Sequence, residues 1–187
     1  MTTNHSDDPF LIDFLAGKVF AYPTEAVFGL GCDPDNEQAV SKLLLLKERD
    51  VSKGLILVAD NYSQLLPYVN DDAIKMTKRT EIFSSWPGPV TWLLPKAKNA
   101  PAWVTGDSEF IAVRVSAHPV IKDLCSRVNK PLISTSANTA GNPPALNSDE
   151  VKSYFSDQVV LIEGSLGGSL SPSKILHGHS GQTIRDN

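Results

Sequence analysis

The chain is poor in most of the features that mark specialised protein classes. No apolar run approaches the ~20 residues a membrane-crossing helix needs, so no membrane partner is expected. Cysteine is scarce: Cys32 and Cys125 alone make no disulfide framework, and a reducing cytoplasm is the natural setting. The first residues, Met1 to Pro9, are polar and acidic and lack a basic n-region and an apolar h-region, so a secretory signal is not expected. Internal repeats and low-complexity tracts are missing. Aromatics make up only 7% and the net charge is −4, which argues against a surface built to bind nucleic acid everywhere. That balance still permits a local basic patch inside a cleft. No Gly-x-x-x-x-Gly-Lys-Ser/Thr segment occurs, excluding a P-loop, and no Gly-x-Ser-x-Gly elbow supports a serine hydrolase. The four histidines, His5, His118, His177 and His179, form no ligand set with the cysteines; His177-Gly178-His179 matches a metal pair only in spacing, and no protein-held metal is expected.

What is present reads as one α/β domain over residues 1–187, long enough to bury a core without staples. Helices are expected at Phe10–Leu15, Asn36–Arg49, Asp72–Ser84, Pro119–Val128 and Asp149–Phe155. Strands are expected at Lys18–Tyr22, Leu55–Ala59, Val90–Leu94, Ile111–Ser116, Pro131–Ser136 and Val159–Ile162. Leu55 to Ala59 is apolar throughout, which suits a strand covered on both faces. Alternating strands and helices with some β-to-β passages predict a three-layer fold with a mixed, twisted sheet. Sites in such sheets lie outside strand ends, where polar residues follow apolar runs.

Four segments fit that description, and five in all carry candidate chemistry. In Pro23-Thr24-Glu25, proline fixes φ as a strand ends and presets a hydroxyl and a carboxylate; the same residues also suit a turn with a helix cap. Gly29 and Gly31 then read as bracketing a tight loop. Lys47, Arg49 and Lys53 put three cations within seven residues. Residues i and i+2 of a helix point apart, so these cations converge only if the helix ends near Lys47 and the chain turns. They read as a polyphosphate clamp or as a solvated helix end favoured by the dipole. In Ile111–Ser116, alternation puts Ala112, Arg114 and Ser116 on one face. Small neighbours leave room above Arg114 for a ligand carboxylate or phosphate, although an edge-strand arginine paired to a protein carboxylate fits equally. Ser134-Thr135-Ser136-Ala137-Asn138 offers uncharged donors to phosphate oxygens, or forms a Ser/Thr turn. The small-residue segment Gly164 to Ser173 is a loop that could close over a ligand, with Ser173 and Arg185 as further contacts, or a plain connection.

Taken in order, the segments resemble the YrdC-like family, and within it the short bacterial members. The matching pieces are Tyr22-Pro23-Thr24-Glu25 through Asp33-Pro34, Leu46-Lys47-x-Arg49, Lys53-Gly54-Leu55-Ile56-Leu57, Trp86-Pro87-Gly88-Pro89-Val90-Thr91, Ala112-Val113-Arg114-Val115, Pro131 through Asn138, and Pro172-Ser173-Lys174-Ile175. The resemblance implies a mixed twisted sheet around a basic central cavity. It also implies an ATP-dependent nucleotidyltransferase that condenses L-threonine, bicarbonate and ATP, with Mg²⁺ accompanying ATP, into threonylcarbamoyl-AMP and pyrophosphate. A partner complex would pass the threonylcarbamoyl group to the adenosine beside the anticodon of tRNAs reading codons that begin with A. Binding of tRNA or double-stranded RNA is a further implied property. Carried over residue by residue, Lys47, Arg49 and Lys53 would hold the triphosphate and serve catalysis. Ser136, Asn138 and Arg185 would hold the nucleotide, and Thr24, Arg114, Ser134 and Ser173 the threonine.

There are departures. Asp50 stands where proline is usual, and Pro143-Pro144 where longer members have Ser-Pro-Thr. Pro172-Ser173-Lys174 replaces a Ser-Thr pattern, and the length leaves out the extra C-terminal domain of longer relatives. A second reading, an RNA-binding ribosome-maturation factor without catalysis, would need more basic residues and stacking aromatics. A sugar-phosphate lyase would need an acidic metal cluster that the sequence lacks.

Overall fold

The computed structural model describes residues 7–186; residues 1–6 and 187, and with them His5 and most of the N-terminal segment, lie outside the described residues. The apolar runs pair into a nine-stranded mixed sheet in the order β7-β1-β2-β6-β3-β5-β4-β8-β9. The strands are β1 Phe20–Pro23, β2 Phe28–Gly31, β3 Ile56–Ala59, β4 Val90–Pro95, β5 Phe110–Val115, β6 Leu132–Ser136, β7 Val160–Leu161, β8 Lys174–His177 and β9 Thr183–Arg185. Pairs β1/β7, β3/β5 and β4/β8 are parallel, and the others are antiparallel. Six α-helices accompany them: α1 Pro9–Leu15, α2 Glu37–Lys47, α3 Met76–Ser84, α4 Ala102–Thr105, α5 Pro119–Val128 and α6 Ser148–Phe155.

The period of two along each strand divides the sheet into two faces. Ala21, Phe28, Leu30, Leu57, Ala59, Trp92, Leu94, Ile111, Val113 and Ile133 point to the main core, which α2, α3, α4 and α6 close with Val40, Leu43, Ile82, Val104, Val151 and Phe155. Phe20, Tyr22, Val58 and Leu132 point the other way and pack on Phe10 and Phe14 of α1 and on Ile121, Leu124 and Cys125 of α5. Helices on both faces give the expected three layers, and β3 is buried from Leu57 to Ala59, as its apolar run predicts, while Ile56 is half-buried.

Gly29 and Gly31 depart from the expectation of a tight loop: both lie within β2. A Cβ on Gly31 would fall 2.1 Å from the carbonyl oxygen of Ile133 and 2.7 Å from the hydroxyl of Tyr22, so glycine is there to let the strands and the Tyr22 ring close up. Arg114 is likewise not on an edge strand, because β5 lies between β3 and β4. Strands β2, β8 and β9 and helix α4 had no sequence signal; each is three or four residues long, too short to display a period.

Candidate active site: a basic cavity on the open half of one sheet face

The face that packs on α1 and α5 is covered over only part of its length. Further along the same strands the side chains shrink to Gly29, Ala112, Ser134 and Ser136. Register puts Ile56 beside both Ala112 and Ser134, Gly29 beside Ser136, and Leu93 beside Ala112. Small residues on a rigid sheet leave a hollow of about 460 Å³, a volume suited to a small-molecule ligand. Its wall includes Thr24, Arg49, Lys53, Arg114, Ser134, Ser136, Ser173 and Arg185.

The cavity inverts the charge of the chain. Its lining carries Arg49, Lys53, Arg114 and Arg185 against one carboxylate, Glu25, whereas the whole chain has net charge −4. Cations gathered in a low-dielectric hollow concentrate anions there. Burial lowers the pKa of the Arg49 guanidinium, and burial together with the neighbouring Arg114 lowers that of Arg185. A guanidinium nonetheless stays charged at neutral pH.

Arg114 is almost fully buried, and its Nη2 stands 3.4 Å from Glu25 Oε2. Neither Arg114 Nε nor Glu25 Oε2 has a hydrogen-bond partner, although both are buried. The other carboxylate oxygen accepts from the Ser116 hydroxyl at 2.6 Å. Ser116, expected beside Arg114, therefore serves Glu25 from behind the cavity wall instead of lining it. The Thr24 hydroxyl donates to the Val27 carbonyl at 2.6 Å, which closes the turn, and Thr24 itself lines the cavity.

The condition for convergence of the basic cluster is met. Helix α2 ends at Lys47, and Glu48 takes a left-handed conformation (φ 50°) that turns the chain. Arg49 and Lys53 then line the cavity, with Arg49 Nη2 donating to the Gly54 carbonyl at 2.9 Å and its Nε unpartnered. Asp50 does by hydrogen bonding what proline does by ring closure: its carboxylate caps the 3-10 turn Val51–Lys53 by accepting from Ser52 N at 2.8 Å. Lys47 lies outside the lining residues. Its ammonium donates to the Ser136 carbonyl at 2.5 Å, to the Asn138 carbonyl at 3.1 Å and to Asn138 Oδ1 at 3.0 Å. Burial, and secondarily Arg49, pull its pKa down to about 8. Asn138 is also outside the lining; its Oδ1 receives the Ser136 hydroxyl at 2.7 Å as well, so Lys47 and Asn138 together fix the end of β6.

The segment Gly164 to Ser173 lies over the Pro23–Glu25 turn as a strap. Gly167 N donates to the Thr24 carbonyl and Ser169 N to the Glu25 carbonyl, each at 2.9 Å. A Cβ on Gly167 would fall 2.9 Å from Glu25 Cα, so this approach needs glycine. Ser173 ends the strap in the cavity wall, where its hydroxyl pairs with that of buried Thr91 at 2.8 Å and its carbonyl accepts from Arg185 Nη2 at 2.7 Å. Thr91 and Ser116 had no supporting role in the sequence; alternation showed the direction of Ser116 alone, and nothing revealed the partners of either.

Burial pushes the Cys125 thiol up to about 12 and the Cys32 thiol higher still, so neither is a nucleophile. Among the described residues no three His, Cys, Asp or Glu side chains are grouped to hold a metal ion. His177 and His179 flank the β8–β9 turn and pack on Phe110. No helix among the described residues is long and apolar enough to cross a membrane.

Comparison with known proteins agrees with this geometry. The Sua5/YciO/YrdC family model, described as telomere recombination, matches residues 14–186. A protein of Pseudoalteromonas atlantica named threonylcarbamoyl-AMP synthase is 85% identical over all of both chains. One of the same name from Pseudoalteromonas translucida is 54% identical over 90% of this chain and 91% of its own. Among solved structures, P. abyssi Sua5 complexed with L-threonine superposes with a TM-score of 0.79 at 29% identity, covering 88% of this chain. This chain spans 48% of that longer one. With the family match running over nearly all of the described fold and the sheet carrying the expected basic cavity, the chain belongs to the Sua5/YciO/YrdC family.

Proposed function

We propose that the chain is an L-threonylcarbamoyladenylate synthase, a nucleotidyltransferase that joins L-threonine, bicarbonate and ATP into threonylcarbamoyl-AMP and pyrophosphate. The observation that carries the reading is one cavity holding two kinds of anion site: Arg114 under small strand residues, and Arg49 with Lys53 at the turn after α2. Full-length likeness to a protein named for this activity supports it.

The threonine carboxylate is assigned to Arg114, with the Thr24, Ser134 and Ser173 hydroxyls around the rest of the amino acid. The triphosphate is assigned to Arg49 and Lys53, and the nucleotide to Ser136 and Arg185. Lys47 and Asn138 act on the nucleotide through the β6 end that they hold, and Lys47 adds positive potential behind it. The amine and bicarbonate form a carbamate. A carbamate oxygen then attacks the α-phosphorus, and the bond from that phosphorus to the oxygen of pyrophosphate breaks. Negative charge shifts onto the departing pyrophosphate, so fixed cations stabilise the transition state more than a strong base would. Mg²⁺ would arrive as part of the ATP substrate, held by the phosphate oxygens, and would neutralise phosphate charge there. Carbamate and mixed anhydride are both lost to water, which suits a strapped hollow over an open groove.

Delivery of the product to a tRNA-modifying transferase complex in the cytoplasm follows from the same reading. Direct binding of tRNA has less support, because the cations point into a hollow sized for a small molecule. The test is pyrophosphate release by the purified chain with ATP and Mg²⁺. Release that requires both threonine and bicarbonate is expected; release independent of threonine, or none, would refute the reading.

A further inference from the structure

Glu25 is a carboxylate whose placement the assigned ligands leave unexplained. It is the one acid among the lining residues, and its side chain is 15% exposed. It is held from three directions. Pro23 presets the turn that carries it, Ser169 N donates to its carbonyl at 2.9 Å, and fully buried Ser116 donates to Oε1 at 2.6 Å. Oε2 is left buried with no donor, 3.4 Å from Arg114 Nη2, and Arg114 Nε is left buried with no acceptor. Native proteins seldom leave such groups unpaired, and those that remain call for a missing partner. Here two orphans of opposite kind, one acceptor and one donor, sit on adjacent residues of opposite charge in one cavity wall.

A single ligand class satisfies both. A free α-amino acid carries its ammonium and carboxylate on one carbon, so its two charges mirror a guanidinium and a carboxylate placed side by side. We infer that Glu25 receives the ammonium of the amino-acid substrate and takes the proton released when its nitrogen becomes a carbamate; this rests on the synthase reading. The balance is explicit. R–NH₃⁺ plus HCO₃⁻ plus the Glu25 carboxylate give R–NH–COO⁻, water and the Glu25 carboxylic acid. The N–C bond forms and a C–O bond of bicarbonate breaks; of the two protons that leave nitrogen, one passes to Glu25 and the other to the departing hydroxide, which leaves as water. Arg114, engaged by the substrate carboxylate, holds the nitrogen beside Oε2. Ser116 is a positioning residue that occupies Oε1 and leaves Oε2 as the oxygen with acceptor capacity to spare.

The test uses the full chain and Glu25→Gln, which keeps the side-chain volume and an acceptor for Ser116. Three quantities are measured: pyrophosphate release with threonine, bicarbonate and ATP; calorimetric binding of L-threonine against N-acetyl-L-threonine, which has no ammonium; and the reverse reaction, ATP formation from threonylcarbamoyl-AMP and pyrophosphate. Loss of a proton acceptor should lower forward turnover roughly 10²-fold or more. Threonine binding should fall to that of the N-acetyl analogue, while the reverse adenylyl step stays within about threefold of wild type. Forward and reverse rates falling together, or a forward rate within about twofold of wild type, would overturn the inference. If Glu25→Gln does not fold, Ser116→Ala serves: the threonine KM should rise with the ATP KM unmoved, and unchanged constants would overturn the inference. A wild-type chain that releases no pyrophosphate with threonine and bicarbonate would overturn the synthase reading itself, whereas an active wild type with an unaffected Glu25→Gln would overturn this inference alone.

Discussion

Arg114→Lys separates the charge of the arginine from its shape. Arg114 sits on β5, flanked on its own face by Ala112, with Val58 beside it in register on β3. A lysine there keeps one positive charge near Glu25, so the buried carboxylate is not stranded and the fold should hold. What is lost is the second parallel N–H of a fork gripping a carboxylate. A hydrogen bond to a charged group contributes about 1.5–3 kcal/mol, and each ~1.4 kcal/mol is tenfold in affinity. The threonine KM should therefore rise roughly 10–100-fold, with the ATP KM little changed, in a pyrophosphate-release assay titrating each substrate against saturating amounts of the other. Arg114→Ala is harsher: it should cut turnover roughly 10²–10³-fold, as removal of a preorganised donor does. It should also destabilise the fold, because the buried Glu25 Oε2 then loses the guanidinium it is paired with. Breaking a buried pair costs about 3–5 kcal/mol; this pair is not hydrogen-bonded, so about 3 kcal/mol is the reasonable expectation. At about 2–4 °C per kcal/mol, the midpoint would fall by roughly 6–12 °C. Equal rises in both KM values for Arg114→Lys, or wild-type turnover in Arg114→Ala, would refute the assignment of threonine to this arginine.

Other outcomes are expected. Lys47, with a folded pKa of about 8 against 10.5 for a free lysine, loses its proton in the fold first. Between those values the unfolded chain binds more protons, so the contribution of Lys47 to stability should rise with pH through that window. ATP affinity should move the opposite way, weakening above pH 8 as the charge behind the β6 end disappears; a flat ATP KM from pH 7 to 9 would count against it. Gly31→Ala should destabilise by about 1–3 kcal/mol, the usual cost of overpacking, since the new Cβ meets the Ile133 carbonyl and the Tyr22 hydroxyl; an unchanged melting curve would contradict the close packing described. Asp50→Ala should cost about 1 kcal/mol by loss of the cap and raise the ATP KM by loosening the turn that aims Lys53, whereas Asp50→Asn, which keeps a cap acceptor, should lose less.

The sequence made the strands that carry the site legible for a physical reason. Arg114 and the β6 hydroxyls lie on runs long enough to alternate, so the face each side chain takes follows from the backbone period. The basic cluster was legible only conditionally. Its convergence required a turn immediately after Lys47, and Glu48, a residue with no special left-handed preference, supplies it. Backbone bonds to the Leu44 and Leu45 carbonyls close that cap, and no glycine or asparagine in the sequence announces it. Lys47 illustrates a deeper limit. Its position in the motif matches a phosphate-binding lysine, yet its three N–H groups end on Ser136 and Asn138, about ninety residues away in sequence. A charge count cannot tell a lysine that meets the ligand from one that holds the strand end meeting it. Glu25 inverts the case. A lone carboxylate after Pro-Thr suits a turn or cap, and only the fold puts it beside Arg114 with one oxygen taken by Ser116 and the other unpaired. The motifs thus mark which residues belong to the site, while the division of labour among them is settled by hydrogen bonds spanning the sheet. Variants at Lys47 and Glu25 therefore probe what the sequence leaves open, and variants at Arg114 probe what it already implies.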